Sequence, residues 1–171
     1  MENTNGNLQS ANIIGANSTI AVIQGTAALS IFALQKIQQI VPEVVYAEFV
    51  HLIHAATELT AQQLRQAQEL LTYGPTQELP EASGKFAGTV VPRLGTISPW
   101  SSKATDIFGL SGLTDVLRVE RGVRWFVRDD YDLSMLDKSV LFDRMTQDYL
   151  LAEDFAQLFV TAQPKPLAEI P

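Results

Sequence analysis

An α+β fold is predicted from the sequence: two split β-α-β halves sharing one antiparallel or mixed sheet, with helices packed on one face. Three observations lead there. The patterns run strand, helix, strand, then a helix, then strand, helix, strand again. The strand-like stretches are β-branched or alternate with period two, while the helix-like stretches place apolar residues at helical spacing. The chain has 171 residues, 46% of them hydrophobic and 18% charged, which suits one soluble domain with a buried core.

Residues 1–18 are Asn- and Gly-rich and read as a disordered leader, with the folded domain over 19–160. "TIAVIQG" is short, β-branched and stopped by Gly25, a strand. "ALSIFALQKIQQI" puts Leu29, Phe32, Ala33, Ile37 and Ile40 on one helical face, and Pro42 ends that helix. "EVVYAEFVHLI" is apolar on both faces, as a covered strand should be. Thr60 and Gln63 form a capping box that opens a helix with Leu64, Ala67 and Leu71 inward, and Gly74 and Pro75 close it. "FAGTVVPR" is a strand, followed by a helix starting at Ser98. In "DVLRVERGVRWFV" the residues Leu117, Val119, Val123, Trp125 and Val127 share one strand face, and Arg118, Glu120 and Arg124 the other. "LDKSVLFDRMTQ" and "AEDFAQLFV" predict one or two further helices. The Pro-rich stretch 161–171 reads as the start of a linker, as in a piece of a longer protein.

Charge and composition narrow the function classes. A net charge of −7 with no basic run argues against a nucleic-acid partner, because phosphate contacts need clustered Lys and Arg. With no Cys, the chain has no disulfide, thiolate metal site or cysteine nucleophile, which fits a cytoplasmic setting. The apolar run near residue 20 lacks a basic leader and is interrupted by Gln24 and Gly25, so neither a signal peptide nor a membrane span is expected.

Residues 92–109, "PRLGTISPWSSKATDIFG", concentrate hydroxyls and cations around one helix start. Ser98 is a good N-cap and Pro99 suits the first helical position, with Ala104, Ile107 and Phe108 toward the sheet. Two readings fit. In one, the hydroxyls only satisfy free backbone N–H groups. In the other, Arg93, Thr96, Ser98, Ser101, Ser102 and Lys103 surround a helix N-terminus whose dipole and amides favour a phosphate or a carboxylate. The glycine pattern of a phosphate-cradling loop is absent. Arg121 falls among the apolar positions of its strand and so requires a partner, with a structural salt bridge the simpler outcome. His51 and His54 lie on opposite faces of their strand, Glu48 on the side of His54, so no metal or catalytic pair forms there.

The run "VVPRLGTISPWSSKATDI" closely resembles the "PRPGTISPWSSKATDI" pattern near the start of the large, single-chain phosphoribosylformylglycinamidine synthase family, with Leu94 where the family has Pro. "GTAALSIFAL", "VYAEFVHL", "LLTYGP", "VERGVRWFV" and "DRMTQ" resemble the same family in the same order, Gln147 replacing an acid in the last. The resemblance covers about residues 21–160. It implies a parent enzyme of de novo purine synthesis that uses glutamine, ATP and magnesium to turn formylglycinamide ribonucleotide into its amidine. It further implies a cytoplasmic N-terminal domain similar to a dimer of the small accessory subunit of multi-subunit forms. Its partners would be the glutaminase and synthetase domains of the same enzyme, held together along an ammonia path. No cofactor is expected on this stretch itself and no catalytic acid, base or nucleophile, since it has no Cys and nothing like an ATP site. The contact residues implied are Arg93, Thr96, Ser98, Ser101, Ser102 and Lys103, with Arg121 as a supporting pair. A stand-alone module binding a small ligand, or a structural homodimer, remain alternatives on the residues alone.

Overall fold

A computed structural model describes residues 18–73 and 79–160 of the chain. The strand-like opening forms β1 (Thr19–Ala27), and α1 (Ile31–Gln38) leads to β2 (Val44–Ala55). α2 (Ala61–Leu70) starts at the anticipated capping box, with the Gln63 N–H donating to the Thr60 hydroxyl and the Thr60 N–H to the Gln63 side chain. β3 (Lys85–Pro92), α3 (Pro99–Leu110) and β4 (Val116–Val127) repeat the first pattern, and β5 (Gln147–Leu150) follows. Gly74 and Pro75, the leader before Ser18 and the Pro-rich stretch 161–171 lie outside the described residues. Among the described residues no helix is long and apolar enough to cross a membrane.

All neighbouring strands run antiparallel, in the order β1-β2-β4-β3-β5. This corrects the split β-α-β expectation, in which a third strand would separate two parallel ones. Here α1 and α3 each join strands that lie side by side and opposed, and only α2 joins two parallel strands, β2 and β3, with β4 between them. Length explains part of it: the eight residues of α1 rise only about 12 Å, against roughly 30 Å for nine strand residues. The helix alone cannot carry the chain back to the end where β1 began. The repeated order is still visible in space. β2 and β4 pair along their whole length, Val44 opposite Val127 and Ala55 opposite Val116, with β1 and β3 as their outer neighbours.

The three α-helices cover one face of the sheet. Ala67, Leu71, Phe108 and Leu113 pack on Ile53 and Val119, while Leu34 packs with Ala47, Val44, Trp125 and Val127. α1 turns a different side inward than its pattern predicts: Leu34 is buried, whereas Phe32 is 66% exposed. Phe32 instead lies beneath the Lys36 ammonium, and Ile40 falls in the turn after the helix has stopped. In α3, Phe108 is buried as expected, but Ile107 points outward.

Chain that was expected to be helical completes both faces: Leu136 and Leu141 join the cluster of Leu34, Val44, Trp125 and Val127, and the closing stretch covers the opposite side. Between Asp132 and Asp143 the backbone makes 3₁₀ turns, and the helix anticipated through "DRMTQ" is replaced by a turn leading into β5. Asp132, Asp137 and Asp143 each accept from the N–H two residues on, at Ser134, Ser139 and Met145. Such side-chain bonds compete with the helical ladder and win here. The last element, a 3₁₀ stretch Phe155–Phe159, lays Phe155, Leu158 and Phe159 on Ile20, Val50, Leu52 and Val91. The charged face of β4 is therefore interior too, and Glu120 is fully buried.

Candidate functional site

The site is built where the sheet runs out of strand. β3 pairs with β4 only as far as Val90 opposite Val123, so the edge of β4 from Gly122 back to Val116 has no strand beside it. An open edge leaves backbone donors and acceptors unpaired. α3 closes this one with its hydroxyls. Ser101 donates to the Val119 carbonyl at 2.6 Å, the Val119 N–H donates to Thr105 Oγ1 at 3.0 Å, and Thr105 donates on to the Ser101 carbonyl. Part of the hydroxyl density is thus structural. Ser101 is fully buried, which removes it from the surface contacts expected of it.

Ser98 links two functions. Its Oγ accepts from the Ser101 N–H as the helix cap, and its hydroxyl donates to Glu120 at 2.7 Å. Glu120 also receives Arg118 at 2.6 Å and the backbone N–H of Arg121. Arg118 reaches further, to the carbonyls of Thr96 and Leu158. One buried ion pair therefore ties the start of α3, the centre of β4 and the closing 3₁₀ stretch together.

Beside this pair opens a cleft of about 500 Å³ between the end of β3, the loop into α3, β4 and the turn before β5. Arg93, Thr96, Ser98 and Arg121, four of the seven expected contact residues, line it together with Trp100 and Phe49. Ser102 and Lys103 lie outside it, exposed on the outer side of α3. Gly95 turns the loop with a φ of 84°, open to glycine but strained for other residues, and the Thr96 hydroxyl closes that turn on the Arg93 carbonyl. Leu94 donates its N–H to Asp148, a bond that proline at this position could not make. The rim is apolar: Ile97 is 64% and Met145 76% exposed.

Arg121 forms no salt bridge among the described residues, contrary to the simpler expectation. Its guanidinium lies 4.6 Å from the Phe49 ring centre, 4.8 Å from that of Trp100 and 6.0 Å from that of Tyr73, and it donates to the Tyr73 hydroxyl at 3.2 Å. His51, buried behind it, shares that hydroxyl at 2.8 Å. Gly25 leaves room for the imidazole, since a Cβ there would lie 2.8 Å from its Cε1. Burial, and next the Arg121 charge, push the His51 pKa down to about 4, so the ring is neutral at pH 7. His54 is on the other face, stacked on Phe159, as the strand alternation requires.

The sequence flagged Arg121 by its place among apolar residues. It did not reveal the rings that hold it, because Phe49, Tyr73 and Trp100 come from β2, the chain just after α2 and the start of α3. Trp100 stood inside the conspicuous run and passed as a helix residue. With this geometry in view, the comparison with protein families is direct. The profile described as formylglycinamide ribonucleotide amidotransferase N-terminal matches residues 48–159, well over half of the chain and every residue lining the cleft.

Proposed function

The chain belongs to the formylglycinamide ribonucleotide amidotransferase N-terminal family, and from that premise we propose that it is the coupling scaffold of an amidotransferase of purine biosynthesis. In this reading the cleft beside α3 seats on the synthetase domain of the same enzyme, and the body of the domain holds that synthetase against the glutaminase, shaping the ammonia path between them. The parent uses ATP and magnesium at the synthetase, and the domain contributes position without a catalytic group. The likeness of its two β-α-β halves to a dimer of the small accessory subunit belongs to the same proposal. So does a cytoplasmic location.

One observation carries the reading. The cleft combines a half-buried cation held by large rings with an apolar rim, Ile97 and Met145 standing out into solvent. Arg and Trp beside exposed apolar residues are the composition of interface hot spots, which become buried when the partner docks. Arg93, Thr96, Ser98 and Arg121 face that partner, with Ser102 and Lys103 flanking it on α3.

The test uses the enzyme that carries this domain. Ile97→Asp combined with Met145→Asp places charge on an exposed rim without touching the core. Glutamine-driven amidine formation is expected to fall at least tenfold, while glutamine hydrolysis and ammonia-driven amidine formation change less. Equal loss of all three activities would leave only a structural role for the domain.

A further inference from the structure

We propose that the cleft is an oxyanion subsite, in which the open edge of the Arg121 guanidinium receives a carboxylate or phosphate group. The inference stands on the cleft alone and does not need the coupling reading.

The guanidinium is a planar fork with five N–H donors. Its faces are occupied by Phe49 and Trp100, and one nitrogen by the Tyr73 hydroxyl. Rings stabilise a cation through its face, yet they accept none of the in-plane hydrogen bonds that water or a carboxylate would. The remaining N–H groups have no protein acceptor among the described residues, and the neighbouring acids are committed elsewhere. Glu120, in the cleft wall, already takes the Arg118 guanidinium, the Ser98 hydroxyl and the Arg121 backbone N–H. Glu48 and Glu153 hold Arg124 across the sheet.

The other groups facing this space reinforce the sign. Arg93 lies on the opposite wall, with Nη1 directed at the Met145 carbonyl at a long 3.4 Å. The first residues of α3, a helix of 12 residues, line the cleft and bring the positive end of its dipole. The Tyr73 hydroxyl takes one guanidinium N–H and is shared with buried His51, whose ring is neutral at pH 7. Among the described residues lining the cleft, only the occupied Glu120 carries negative charge. A cavity of about 500 Å³ is larger than one oxyanion, so the group enters attached to a larger body. That body is a small phosphorylated molecule or an acidic side chain of a partner.

The test is titration of the 171-residue chain with inorganic phosphate in one arm and succinate in another, at constant ionic strength. It is followed by Trp fluorescence and by the Nε–H resonance of Arg121. A saturable shift with one site per chain is expected, because Trp100 stacks on the responding cation. Arg121→Gln should weaken it at least about tenfold, the loss of one charge-assisted bond pair, and Arg121→Lys less. Arg93→Gln, a change at an exposed residue that leaves the core alone, should weaken it a few-fold. Saturation by phosphate but not succinate assigns a free phosphorylated ligand, and the reverse assigns a carboxylate. No saturable site in either arm, or binding unchanged in folded Arg121→Gln, overturns the proposal. Failure here with loss of amidine formation in the rim variants would leave the coupling reading standing, and the opposite pattern would leave only the subsite.

Discussion

Arg118 and Arg124 project from one face of β4 onto carboxylates, whereas Arg121 projects from the other face onto rings. Arg118 meets Glu120 at 2.6 Å beneath the closing 3₁₀ stretch, and Arg124 meets Glu153 at 2.5 Å and Glu48 at 3.7 Å. Arg121 has Phe49, Trp100 and Tyr73 and no acid among the described residues. The strand and the residue type are shared, so the difference lies in what covers each face. Where the chain folds back on itself, each buried cation finds an acid and the pair secures the fold. On the cleft side the cation is held in place but not neutralised, and its charge is available to something else.

The sharpest way to break this contrast is to remove an acid from the paired side. Glu120→Ala leaves Arg118 buried without its carboxylate and strips the Ser98 hydroxyl of its acceptor. It is expected to cost about 3–5 kcal/mol in urea unfolding. The double change Arg118→Met with Glu120→Leu should recover most of that loss, since well-packed apolar residues often replace a buried pair at little cost. A single-variant loss below about 1 kcal/mol would mean the pair does not hold α3 to β4.

Acid sharpens the contrast from the cleft side. His51 has a folded pKa near 4, against about 6.5 for an unfolded His. Between those values the unfolded chain binds the extra proton and the folded chain does not. Stability from this group is therefore complete above pH 6.5 and is lost as pH falls toward 4, by on the order of 3 kcal/mol. The groups it faces are Arg121, Tyr73 and Trp100, which offer a protonated ring no carboxylate. His54, also lowered by burial and by Arg118, adds a loss of the same sign. Denaturant midpoints measured at pH 7, 5 and 4 should converge on a shallower slope in His51→Gln. An unchanged slope would place the acid sensitivity elsewhere.

Removing the unpaired cation should do far less to the fold. Arg121→Met keeps the packing on Phe49 and Trp100 and loses a cation–π contact, so its stability change is expected to stay within about 2 kcal/mol. Amidine formation by the parent enzyme should nonetheless drop at least tenfold. Thermal unfolding and activity measured on the same variant decide it, and a large loss of stability would make Arg121 one more structural cation.

What could be read in advance follows the range of the forces involved. The helix caps and the order of the first seven elements rest on residues within one turn or one strand of each other, and Thr60, Gln63 and Ser98 act as their spacing says. Antiparallel pairing of β1 with β2, the fifth strand and the burial of Glu120 depend on contacts across the sheet, to which local pattern is blind. The "DRMTQ" region misled for a local reason: its composition allows helix, but Asp side chains at 132, 137 and 143 take the backbone N–H groups first. At the site, the position of Arg121 among apolar residues was legible and its cage was not. The density of hydroxyls in 96–105 divides, with Ser101 and Thr105 closing the edge of β4 and Thr96 and Ser98 forming the cleft wall.

The smallest effect separates charge from position within that same run. Lys103 sits one turn into α3, exposed and without a carboxylate within 4 Å among the described residues. A cation near a helix N-terminus is opposed by the dipole, and the opposition fades within the first turn. Lys103→Glu reverses that term while leaving every buried contact intact, so it should stabilise the domain by a few tenths of a kcal/mol at low salt. The gain should vanish as ionic strength rises toward 1 M, where screening acts over about 3 Å. Urea midpoints at two salt concentrations resolve it. A salt-insensitive change, or a loss above about 1 kcal/mol, would show that Lys103 takes part in the fold, and that the charges of this helix start are not divided between a cleft and a solvated side.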